Sequence, residues 1–172
     1  MLKKDGTQIA KLMMDGCNMG IQSVSEYLNQ YPQASQESKS LAKKLVETEE
    51  MFMKELKKRK IRIGIGTDMT AYVQYRKLEA IGVTPYIDFI VTSEEVGAEK
   101  PHYHFFDICV EKAGVRPEEC AFIGDNVRKD IEGAWESGMK GIWYTQEKEP
   151  SEHRYFPTIR SFRGIDVDEF LK

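Results

Sequence analysis

From Arg62 onward the sequence switches repeatedly between two periodicities, and that alternation restricts the fold more than any other feature. RIGIGT (62–67) mixes isoleucine and glycine in a short apolar run, as suits a strand buried on both faces. AYVQYRKLEAIG follows with helical character and closes at Gly82, a plausible C-cap. YIDFIVTS reads as a second strand. PHYHFFDICVEKAGV is amphipathic, with Phe105, Phe106, Cys109 and Val110 on one side, and it stops at Gly114. CAFIG, IEGAWESG and GIWYT continue as strand, helix and strand, and TIRSF adds a weak last strand before a short helix, DVDEFLK. Strand alternating with helix predicts an α/β fold built on a Rossmann-like parallel sheet. Such sheets place ligands beyond the C-terminal ends of their strands.

The first sixty residues have a different texture. SVSEYLNQY is a short helix candidate that ends at Tyr31-Pro32, since the residue before proline is pushed out of the helical region. Ser35, with Glu37 close behind, can cap a longer helix carrying Leu41, Leu45, Phe52 and Leu56 on one stripe. Its Lys- and Glu-rich opposite face reads as a solvated surface. The expected division is therefore a helical segment over 1–60 and an α/β core over 61–172.

The strand ends hold the chemistry. Strand one ends in Thr67-Asp68, Lys100-Pro101 follows strand two, and IGDNVRKD puts Asp125 at the tip of strand three with Asp130 just beyond. A threonine hydroxyl can donate to a phosphoryl oxygen, a lysine can neutralise its charge, and two carboxylates can hold Mg²⁺. Singly, each residue has a plainer explanation as a cap, a loop lysine or a first-turn acid. Their order at successive strand ends is what points to phosphoryl transfer.

That order, standing here as IGIGTD, VGAEKP and IGDNVRKD, resembles three motifs of the haloacid dehalogenase-like (HAD) superfamily of phosphohydrolases. VTSEEVGAEKPHYHFF and GAWESGMKGIWY look especially like its nucleotidase and phosphoglycolate-phosphatase-like branches. The resemblance covers residues 48–172. It implies a Mg²⁺-dependent phosphatase of small phosphorylated metabolites, with Thr67, Asp68 and Lys100 at the phosphate, Thr67 and Lys100 catalytic, and Asp125 and Asp130 at the metal. An inserted helical cap would account for residues 1–60.

One family element has no counterpart in this reading. Members begin with a strand ending in DxD, whose first aspartate is phosphorylated and whose second protonates the leaving group. Asp5-Gly6-Thr7 has Lys3 two residues before Asp5 and no apolar strand ahead of it. Asp166-Val167-Asp168 opens a terminal helix, and Asp15 and Asp68 lack a partner two residues on. The core is therefore expected to lack its first strand, and the chain to be a truncated phosphatase hydrolysing p-nitrophenyl phosphate at background rate. The missing strand belongs at the sheet's centre and would leave a slot of ~9.6 Å, two strand spacings. Unpaired backbone groups lining it would cost roughly 1–3 kcal/mol each, so a repair is required. The candidates are residues 7–14 (TQIAKLMM, which look more helical than extended), direct pairing of 61–66 with 121–124, or an element from a second chain in a homo-oligomer.

Two rivals compete with the degraded enzyme. One is a non-catalytic pseudoenzyme that keeps the sheet for binding or oligomerisation. The other is a bacterial receiver domain, whose acidic pair sits at its first strand and whose phosphoacceptor precedes the threonine, an order this chain does not follow. Bulk properties agree with a small-molecule partner. With 25 Lys+Arg against 28 Asp+Glu, the net charge of −3 argues against non-specific nucleic-acid binding. No stretch approaches the ~18 apolar residues of a membrane span. Cys17, Cys109 and Cys120 are an odd count without CxxC spacing and read as reduced thiols, so a cytoplasmic location is expected.

Overall fold

The computed structural model describes residues 11–14, 36–80, 82–145 and 156–167. Six parallel strands form one sheet in the order β3-β2-β1-β4-β5-β6. They are β1 (Lys11–Met14), β2 (Arg62–Thr67), β3 (Phe89–Thr92), β4 (Cys120–Gly124), β5 (Lys140–Tyr144) and β6 (Thr158–Ile159). The helices are α1 (Gln36–Lys58), α2 (Ala71–Ala80), α3 (Ser93–Val96), α4 (Tyr103–Ala113) and α5 (Gly133–Glu136), the last entered through a π-helical turn, Val127–Glu132.

The centre of the sheet is filled by the chain itself. Lys11, Leu12 and Met13 pair with Arg62, Ile63 and Gly64 on one side, and Lys11–Met14 pair with Cys120–Ile123 on the other. The expected missing strand is therefore a correction, and so is the inference of an oligomer from an empty slot. Lysine, leucine and methionine are good helix formers, which is why KLMM looks helical in isolation. Two ladders, one on each edge, override that preference.

Residues on either side of the expected boundary at residue 60 pack together in one cluster. α1 lays Phe52, Met53 and Leu56 against Ile63 and Ile65 of β2 and Ala121 and Ile123 of β4, all buried in one cluster. It is a core helix of the α/β unit. The side chains of Leu41 and Leu45, and the whole of the SVSEYLNQY candidate, lie outside the described residues.

The sheet is covered on both faces. Along β4 the side chains alternate: Ala121 and Ile123 join the α1 cluster, whereas Cys120 and Phe122 join Phe105, Phe106, Cys109 and Ala113 of α4 on the opposite face. Every residue of β4 is buried, as a central parallel strand requires. α4 ends at Gly114, whose φ of 66° and bonds to the carbonyls of Val110 and Glu111 make it the left-handed C-terminal cap. No described helix is long and apolar enough to cross a membrane.

Candidate active site

All six strands run the same way, so the segments that follow β2, β3 and β4 emerge at one edge. Thr67 closes β2, pairs with Thr92 of β3 and is 2 % exposed. Its Oγ1 accepts the Met69 N–H at 3.3 Å, which leaves the hydroxyl proton able to donate. Asp68 comes next, and its carboxylate is engaged twice. Oδ1 accepts the backbone N–H of Lys100 at 3.0 Å, and Oδ2 accepts the Lys129 ammonium at 3.1 Å. The sequence reading set Asp68 at the phosphate. Its carboxylate is held by these two donors, which join the end of β2 to the Lys100 segment and to the Lys129 turn.

Lys100 arrives on the segment after α3 and is 4 % exposed. Its Nζ donates to Asp130 Oδ1 at 2.8 Å and stands 5.9 and 5.7 Å from the ring centroids of Phe105 and Phe122. Burial lowers its pKa, with the Asp130 carboxylate opposing that shift. Asp130, 2 % exposed, uses its second oxygen to accept the Asn126 N–H at 3.0 Å. It is presented by the π-helical turn, whose first residue is preceded by Asn126; the Asn126 side chain accepts the Lys129 N–H at 2.9 Å. Such turns gather at functional sites because the widened ring re-aims side chains.

Asp125 follows β4 directly. Its carbonyl accepts the Trp143 indole N–H at 3.1 Å, pinning the residue to β5. The half-buried carboxylate has its pKa pushed up by burial and then by the neighbouring Asp130 charge. Around the rim, three carboxylates (Asp68, Asp125, Asp130) face two ammonium groups (Lys100, Lys129), an arrangement with room for further positive charge.

The structure therefore brings Asp68, Lys100, Asp125 and Asp130 into one connected rim with Thr67 beside them. Three contributors escaped sequence reasoning. Lys129 looks like a spacer within GDNVRKD, yet it ties that turn to Asp68 and lies 3.9 Å from Glu99. Gly124 looks like an ordinary strand terminus. A Cβ built there would stand 2.3 Å from Asp130 Cβ, so only glycine admits the Asp130 side chain. The third is positional: β1 ends at Met14, and the next residue in the sequence is Asp15, itself outside the described residues. An apolar run closing on an acid was the available signal.

Comparison with known proteins bears on the same residues. The family model for haloacid dehalogenase-like hydrolases matches residues 7–144, which takes in β1 through β5. The glyceraldehyde 3-phosphate phosphatase of Methanocaldococcus jannaschii is 40% identical over 123 residues, 69% of this chain and 54% of that protein. The phosphoserine phosphatase of Thermus thermophilus is 31% identical over 111 residues, 64% of this chain and 45% of its own length. The pyrimidine 5'-nucleotidase YjjG of Escherichia coli is 33% identical over 99 residues, 56% of this chain and 44% of that protein. The chain thus spans about half the length of the curated relatives it matches. Among solved structures, a HAD phosphatase from Thermococcus onnurineus superposes with a TM-score of 0.63 at 21% identity, covering 89% of this chain and 94% of that one. A β-phosphoglucomutase from Clostridium difficile gives 0.63 at 15% identity over 95% of each; at these identities the likeness concerns the fold. By the match of its sequence to the family and of its sheet to these structures, the chain belongs to the haloacid dehalogenase-like hydrolases.

Proposed function

We propose that this chain is a Mg²⁺-dependent phosphomonoester hydrolase of small phosphorylated metabolites. The observation that supports it best is the buried Lys100–Asp130 pair at the C-terminal edge of the sheet, with Thr67 and Asp125 alongside. A pre-set ammonium and a hydroxyl donor are what a phosphoryl group requires as charge builds on its oxygens. The substrate class follows the named activities of the relatives, which act on a sugar phosphate, phosphoserine and pyrimidine nucleotides.

The donor set suits Mg²⁺. That ion is held through one or two carboxylates plus substrate phosphate and keeps several waters. Among the described residues no group of three or more His, Cys, Asp or Glu is arranged to hold a metal, and Mg²⁺ does not need one. Both oxygens of Asp130 are already engaged, so Asp125 is the ligand and Asp130 supports it from behind. Asp125 carries its charge against burial and against Asp130, and a cation would relieve both. When bound, the ion would neutralise charge on the phosphoryl oxygens.

Thr67 donates its hydroxyl to a phosphoryl oxygen, and Lys100 neutralises charge on the group being transferred. The nucleophile is assigned by chain order to Asp15, the acid that follows the central strand. Its carboxylate oxygen forms a bond to phosphorus as the ester P–O bond breaks, and water then hydrolyses the acyl phosphate. The family's second acid would stand two residues on, where this chain has Cys17. General acid catalysis is typically worth 10²–10⁴-fold. An alkoxide needs that proton in order to leave, whereas nitrophenolate does not.

The test is p-nitrophenyl phosphate against an alkyl phosphate, with Mg²⁺, in the wild type, Asp15→Asn and Asp125→Ala. Expected are Asp15- and Asp125-dependent turnover of the aryl ester and alkyl turnover slower by about 10²–10⁴-fold. Cys17 also favours a second reading, a phosphate-binding pseudoenzyme. Background rates on both esters, together with orthophosphate binding that Asp125→Ala weakens, would select it.

A further inference from the structure

We propose that Asp68 is a positioning residue of this site, fastening the end of β2 to the Lys100 segment and to the Lys129 turn. The proposal rests on the phosphohydrolase reading given above. Four contacts close a ring around the rim. Asp68 Oδ1 holds the Lys100 backbone N–H at 3.0 Å, across 32 residues of sequence. Lys100 Nζ reaches Asp130 Oδ1 at 2.8 Å, Asp130 Oδ2 holds the Asn126 N–H at 3.0 Å, and Lys129 of the same turn returns to Asp68 Oδ2 at 3.1 Å, across 61 residues.

The division of labour follows from burial. The Lys100 and Asp130 side chains are 3% and 2% exposed and form the inner half of the ring. Lys129 and Asp68, at 44% and 23%, form the outer half. A lysine has a flexible four-carbon stem, so an ion pair at its tip does not fix its backbone. The Asp68 bond supplies that second anchor, and Lys100 is then held at both ends. Displacements near 1 Å in a group that stabilises a transition state can lower rates about 10²-fold. Asp68 acts through Lys100, and its negative charge suits no direct contact with phosphate.

The test compares the full-length wild type with Asp68→Ala, Asp68→Asn, Lys129→Met and Asp68→Ala/Lys129→Met. It reads kcat and KM for p-nitrophenyl phosphate with Mg²⁺, the thermal midpoint, and amide exchange at Lys100. Asparagine keeps an oxygen for the Lys100 N–H but not the charge. Expected is a fall in kcat of about 10- to 10²-fold in Asp68→Ala with faster Lys100 exchange. Asp68→Asn should recover most of the rate even where its melting temperature matches that of the alanine variant. The double variant should be no slower than Asp68→Ala, because the outer half of the ring is already open. Unchanged kcat in Asp68→Ala, no recovery in Asp68→Asn, or additive losses would each overturn the positioning role while leaving the hydrolase reading intact. A wild type without turnover fails the hydrolase reading instead. The same comparison on orthophosphate affinity then decides Asp68, and equal affinity in wild type and Asp68→Ala, or no binding by either, overturns it.

Discussion

Glu49 of α1 gives the fold a built-in sensitivity to pH. It lies one helical turn before Phe52 and Met53 on the core-facing stripe, is 2 % exposed, and its Oε2 has no hydrogen-bond partner among the described residues. Burial alone raises its pKa from 4.5 to about 8. Below 4.5 the carboxyl is protonated whether the chain is folded or unfolded, and it imposes no penalty. As pH rises from there, the unfolded chain releases a proton that the folded chain retains, so stability falls until both states are ionised above about 8. At about 1.36 kcal/mol per pH unit, the interval from 4.5 to about 8 corresponds to a loss on the order of 5 kcal/mol. The loss by pH 7 is on the order of 3 kcal/mol. Against a typical domain stability of about 5–15 kcal/mol, that is a large share. Glu49→Gln carries no charge at any pH and should lose this dependence. Urea denaturation of both proteins at pH 5, 6, 7 and 8 provides the measurement, and taking the difference between them cancels every other titrating group. The two should nearly coincide at pH 5, and the glutamine variant should be more stable by several kcal/mol at pH 8. Parallel curves across this range would refute the argument, because they would place the Glu49 carboxylate in water.

Two further outcomes follow from the rim. Gly124→Ala puts a methyl group 2.3 Å from Asp130 Cβ and 2.4 Å from its Oδ2; overpacking of this kind typically costs about 1–3 kcal/mol, and the displaced Asp130 should lower phosphatase kcat by about 10²-fold, read by denaturation and steady-state kinetics. Lys100→Met leaves the 2 % exposed Asp130 charge without its partner and should destabilise by about 3–5 kcal/mol, while adding Asp130→Asn should restore part of that loss; a double variant no more stable than Lys100→Met would show that the pair is not buried as described.

The part of the fold legible in the sequence is the part where local preference and tertiary environment agree. Ile63, Ile65, Ala121, Phe122 and Ile123 are apolar because both faces of the sheet are covered, and the glycines after α2 and α4 mark real left-handed stops, with φ of 77° at Gly82 and 66° at Gly114. β1 is the opposite case. Lys11–Met14 has neither a β-branched residue nor a polar-apolar alternation, and its extended form is imposed by Arg62–Gly64 on one side and Cys120–Ile123 on the other. α1 was legible in part: the stripe through Phe52 and Leu56 is buried in the core, together with Glu49 and Met53.

The site divides along a similar line. A parallel sheet delivers whatever follows each strand to one edge, so chain order alone reports which groups collect there: Thr67 and Asp68 after β2, Lys100 after β3, Asp125 and Asp130 after β4. Which oxygen meets which nitrogen depends on the segments between. The π-helical turn swings Lys129 back to Asp68 and turns Asp130 inward over Gly124, and no spacing rule for DNVRKD contains that ring of contacts. Asp68 marks the boundary between the two kinds of information. Its place in the order of strand-end residues is read from the sequence, whereas the two donors on its carboxylate, the Lys100 backbone N–H and the Lys129 ammonium, come only from the folded arrangement of those segments.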